Sequence, residues 1–228
     1  MDIVKINEEK LIKIGKMIGI IFVYYLGMIA LSNIYRDCLN SSNMIISYTS
    51  NLLIYLLDLL IISLFFIPTL VDNFHDFKKK NIKVAFKNWG LGFICMLISN
   101  LYLIYFVGNM ATNEASNRTF LSTNPLIAII LMSFVAPTLE EIVFRLNIRK
   151  AIKNKYIFCI ISGLLFGGMH LLSASSLKEL LFIIPYGSLG FFFAKAYYET
   201  DNIYTSIIMH MFHNSLSIFF ILLGNGLL

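Results

Sequence analysis

Charge is what this sequence has least of. Only 14% of its 228 residues are Asp, Glu, Lys or Arg, against about 25% in an ordinary soluble domain. Hydrophobic residues make up 58%, and the mean hydropathy is +0.77. So few charges cannot cover a water-exposed surface. The composition points to an all-α polytopic membrane protein, a single integral membrane domain over residues 1–228. Cysteine is scarce as well. Cys38, Cys95 and Cys159 lie far apart and form no CxxC pair, which excludes a disulfide framework. The net charge of +5 is carried by lysine clusters between hydrophobic runs, so the basic partner surface is the lipid bilayer and no nucleic acid is expected.

A bilayer core takes about 20 mostly apolar residues per helix. Seven segments meet that length, over residues 14–33, 52–71, 89–109, 125–149, 156–175, 178–198 and 203–227. The first has no cleavage site followed by a soluble chain, so it reads as a retained helix. Fifteen of the eighteen basic residues fall on one side of this arrangement, in the tail up to Lys16, around Lys78–Lys87, from Arg145 to Lys155, and at Lys195. Arg36, Arg118 and Lys178 fall on the other. This asymmetry predicts a multi-pass protein of the cell membrane with a cytoplasmic N-terminus. The abundance of Ile, Lys and Asn suggests an AT-rich bacterial source. Residues 72–88 are expected to form an amphipathic helix on the cytoplasmic surface. Tyr24, Tyr25, Tyr102 and Tyr105 read as packing or interfacial aromatics, His75 as solvated, and Asp58 as a capping or ion-pairing group.

Within the fourth segment stands Glu140-Glu141-Ile142-Val143-Phe144-Arg145. A charge near the bilayer centre costs at least ~2.5–3.5 kcal/mol, so ionisable groups there face partners or a wet cavity. Glu141 and Arg145 are one helical turn apart and are expected to pair, leaving Glu140 to face a cavity. Alone, the pair is also what an ordinary helix end would carry. Three of the four histidines, His170, His210 and His213, also lie in apolar segments. Phe166 and His170 share a face, as do His210 and Asn214, while His213 points elsewhere. Gly163 and Gly167 would let a neighbouring helix approach closely. At 1.5 Å per residue Glu140, His170, His210 and Asn214 lie roughly 10–21 Å from the cytoplasmic ends of their helices, compatible with one layer open to the cytoplasmic half.

The ordered triple EExxxR, FxxxH and HxxxN resembles the CPBP family, which includes type II CAAX prenyl endopeptidases and the Abi or bacteriocin-immunity homologues. The resemblance covers about residues 125–225, the protease core, and Leu146 stands where many relatives have glycine. It implies an intramembrane endopeptidase with its site on helices 4, 5 and 7, acting on a membrane-embedded or lipidated peptide or protein. Glu140 and His170 would activate water, and His210 and Asn214 would stabilise the oxyanion, with Glu141, Arg145 and Phe166 in support. No cofactor is expected. The alternative is zinc held by Glu140, His170 and His210, although asparagine is a poor zinc ligand and no HExxH pair is present. A non-catalytic immunity or scaffold protein of the same fold is the main rival reading. A small transporter is the other, against which no inverted repeat is present.

Overall fold

The computed structural model describes residues 2–224, with side chains from Glu8 onward. Residues 225–227 of the last predicted span, and the side chain of Lys5, lie outside the described residues. Among the described residues the chain is helical throughout, without strands. The elements are α1 (Asp2–Ile34), α2 (Met44–Leu64), α3 (Ile67–His75), α4 (Lys79–Val107) and α5 (Thr112–Thr123). Then follow α6, a continuous helical run over Pro125–Ala151, α7 (Lys155–Met169), α8 (Ile183–Thr200) and α9 (Tyr204–Gly224).

Six of these helices are long and apolar enough to cross a membrane. The predicted segment 156–175 becomes α7, only 15 residues long, because the chain leaves the helix at His170 and turns through Leu171–Ser176. The predicted segment 52–71 is displaced toward the N-terminus. Asn43 caps α2 by accepting hydrogen bonds from Ile45 N and Ile46 N, and the helix breaks at Phe65-Phe66, ahead of Pro68 in the first turn of α3. The expected single helix over 72–88 is not formed. A turn at Asp76–Lys78 divides it between α3 and the start of α4.

The centre of the fold is α6, in which every residue from Leu139 to Ile148 is buried. Two stretches of α6, Leu131–Val135 and Ile142–Asn147, are wound as π-helix. Such wide turns leave backbone carbonyls poorly satisfied. Side chains of other helices take them up: Asn214 donates to Met132 O at 2.8 Å, and Ser162 to Phe144 O at 2.6 Å. Around α6 packs a core that includes Tyr24, Ile62, Phe158, Tyr197 and Ile207. Helix α7 lies directly on α8. A Cβ at Gly163 would come within 2.7 Å of Gly187 O, and one at Gly167 within 2.9 Å of Gly187 N. The small-residue spacing in α7 therefore serves close backbone contact with α8. Outward faces leave Phe22, Leu60, Ile98 and Leu101 exposed, as a lipid-facing surface requires. Tyr102 and Tyr105 are exposed in α4, whereas Tyr24 is buried and donates its hydroxyl to the Met169 sulfur at 3.1 Å.

Candidate active site

Arg145 is fully buried, and its surroundings explain how a guanidinium is kept there. Its Nη1 lies 3.1 Å from Glu141 Oε1, and its Nη2 donates to Gly190 O in α8 at 3.3 Å. The Phe166 ring lies 4.2 Å from the guanidinium carbon, with Phe193 at 5.7 Å on α8. An ion pair, a backbone carbonyl and two aromatic faces together replace the water the cation has lost. The sequence expectation that Glu141 and Arg145 pair holds, and the pair is buried rather than placed at a helix end.

His210 of α9 joins this pair to Glu140. Its Nδ1 lies 2.8 Å from Glu141 Oε1, and its Nε2 lies 3.6 Å from Glu140 Oε2. One imidazole thus lies between two adjacent carboxylates, hydrogen-bonded to Glu141 and only near Glu140. With Glu141 ion-paired and accepting, Nδ1 carries the proton and Nε2 is turned toward Glu140. Phe166 and Phe193 border the ring at centroid distances of 5.4 and 5.0 Å, which restricts its rotation.

His170 stands just past the end of α7. Phe166 meets it edge-on at 4.7 Å, so the shared face read from their spacing is realised, and the same phenylalanine touches both imidazoles. Tyr186 of α8 stacks on His170 at 4.7 Å, and Asn113 of α5 places its amide nitrogen 3.3 Å from Nδ1. With the amide donating, the neutral ring carries its proton on Nε2. His170 is therefore approached from the α5 side of the molecule, the side opposite the lysine clusters.

Asn214 is one turn beyond His210, as the spacing required, but its amide is engaged by Met132 O. His213 lies apart, its Nδ1 accepting from Trp89 Nε1 at 3.4 Å. Asp58 makes neither a cap nor an ion pair. It is wholly buried in α2 and both carboxyl oxygens lack a hydrogen-bond partner. Phe193, Gly190, Tyr186 and Asn113 were not singled out from sequence. They are ordinary apolar or polar residues there, and only packing brings them to the site. Among the described residues no three His, Cys, Asp or Glu side chains converge closely enough to hold a metal ion.

The chain is a multi-pass helical membrane protein with a buried carboxylate–histidine–guanidinium cluster. Residues 122–216, the stretch that carries the cluster, match the model of the family described as type II CAAX prenyl endopeptidase Rce1-like. The chain is 34% identical over 117 residues to "Putative membrane peptidase YdiL" of Bacillus subtilis (strain 168), covering 50% of this chain and 45% of that protein. It is 36% identical over 95 residues to an "Uncharacterized protein" of Mycoplasma capricolum subsp. capricolum, covering 41% of this chain and 27% of that protein. The matches thus span less than half the length of either relative. No solved structure matches the chain.

Proposed function

We propose that the protein is an intramembrane endopeptidase that hydrolyses a peptide bond in a membrane-embedded or lipidated substrate. The observation that carries this reading is His210 held between Glu141 and Glu140 in a lipid-excluded core. Glu140 is the carboxylate not neutralised by Arg145, and it acts as the general base that takes a proton from the attacking water. His170, with its Nε2 proton, orients that water. His210 donates from Nε2 to the developing oxyanion once that nitrogen is protonated. Asn214 supplies its second amide N–H, the first being spent on Met132 O. Glu141 and Arg145 position His210 and do not touch the substrate. The work is done at the bacterial cell membrane, and no metal takes part.

The test compares membrane peptides by mass spectrometry from cells carrying the wild-type protein or Glu140→Ala. A membrane protein that accumulates uncleaved only in the variant identifies the substrate. No difference in any peptide, with the protein's biological effect intact, would instead favour an immunity or scaffold role. With a purified assay, His170→Ala nearly abolishes turnover, and Asn214→Ala lowers it by roughly 10²–10³-fold, the usual cost of one oxyanion donor. Chelator leaves the activity unchanged. Stoichiometric zinc, lost together with activity, would overturn the metal-independent scheme.

A further inference from the structure

Three helix termini converge at the lysine-rich end of the molecule: the end of α6 at Ala151, the start of α7 at Lys155 and the end of α8 at Thr200. Between them and α3 lies a cavity of about 180 Å³, lined in part by Thr69, Arg149, Lys150, Lys153 and Asp201. The cavity is too small for a peptide substrate, since sites for drug-sized ligands occupy ≈ 300–1,000 Å³. Its depth, at the ends of three helices, is that of lipid headgroups.

The charges around it do not balance. Arg149, Lys150 and Lys153 line the cavity, and Lys13 is near enough to repel Lys153, whereas Asp201 is the carboxylate that attracts it. Partial desolvation, and then the neighbouring Arg149, hold the ammonium of the exposed Lys153 below its ordinary range. Some donors are already used. Lys150 Nζ bonds Thr69 Oγ1 at 2.8 Å, and Arg149 Nη1 reaches Ile152 O at 3.5 Å while its guanidinium lies over Tyr198 at 4.6 Å. Arg149 Nε, however, is shut off from solvent and has no acceptor. That N–H is closed to the cavity as well, but the lining itself, three cations against one carboxylate, lacks an anion, and a phosphoryl oxygen suits both a guanidinium fork and an ammonium.

We infer that this cavity binds the phosphoryl headgroup of an anionic phospholipid, with Arg149 and Lys153 as its principal donors. The site is distinct from the Glu140 cluster and stands whether or not the protein is a peptidase. It is tested on the full-length protein in neutral detergent, by following thermal unfolding during titration with phosphatidylglycerol, phosphatidylcholine or inorganic phosphate. Phosphatidylglycerol raises the wild-type midpoint and phosphatidylcholine does so far less. In Arg149→Gln/Lys153→Gln the apparent affinity for phosphatidylglycerol falls by about 20–30-fold, at about fivefold per basic residue. Lys80→Gln/Lys83→Gln, in the other lysine cluster, responds as wild type. Lys153→Gln alone, expected to lose about fivefold, covers the case in which the double variant does not fold. An equal response to inorganic phosphate would overturn the lipid as the source of the anion. An unchanged phosphatidylglycerol response in the folded variants would overturn the site itself.

Discussion

Glu141 and Asp58 are both carboxylates withdrawn from water, and their surroundings differ completely. Glu141 Oε1 is held by Arg145 and His210, whereas Asp58 has no partner at either oxygen. Removing Glu141 strands a buried guanidinium, so Glu141→Ala should destabilise the fold by ~3–5 kcal/mol, visible in thermal unfolding in detergent. Asp58 acts instead as a steric neighbour of α1, since a Cβ at Gly27 would lie 2.5 Å from Asp58 Oδ1. Gly27→Ala should therefore lower the unfolding midpoint in the wild-type background and do so much less in Asp58→Ala. Additive effects in that double-mutant cycle would show that the two residues are not in contact.

Two features of single helices shape the site. The π-wound turns of α6 sit on either side of Glu140-Glu141, and their spare carbonyls are taken by Asn214 and Ser162 from α9 and α7. The close α7–α8 approach holds Phe166 against Gly190, where a Cβ would lie 2.8 Å from the Phe166 ring. Gly163→Ala forces a side chain into the backbone of α8, and overpacking of this kind costs ~1–3 kcal/mol. Gly168, one residue beyond Gly167, faces open space, and Gly168→Ala should be neutral or stabilising by up to ~1 kcal/mol through helix propensity. Equal behaviour of the two variants in thermal unfolding would refute this packing.

At the scale of the whole molecule the charge asymmetry orients the bundle. By that asymmetry the lysine-rich ends of α6, α7 and α8 are predicted to face the cytoplasm, and the turn between α1 and α2 the outside. Cys38 is exposed in that turn. In intact cells a membrane-impermeant maleimide should label Cys38, while the buried Cys159 stays unlabelled. Labelling of Cys38 only after the membrane is breached would reverse the topology and, with it, the leaflet that feeds the cationic cavity.

Composition and order along the chain were enough for the helical membrane class and for the likeness to the Rce1-like family, because both depend on residue types at local spacing. Local spacing also predicted the Glu141–Arg145 pair and the Phe166–His170 contact, each within about one helical turn. The extents of α2 and α7 were not legible. Helix ends depend on the Asn43 cap, the break at Phe65-Phe66 and the exit at His170, and a hydropathy window averages over such features. The grouping within the site was also beyond the sequence. His210 and Asn214 share a face, yet His210 turned to both carboxylates and Asn214 to a carbonyl freed by a π-turn. Which nitrogen meets which oxygen depends on how α9 lies across α6, and that is set by long-range packing rather than by spacing within either helix. Tyr186, Asn113 and Phe193 reach the histidines for the same reason. Spacing along one helix determines which groups can act together, and packing between helices decides which of them meet.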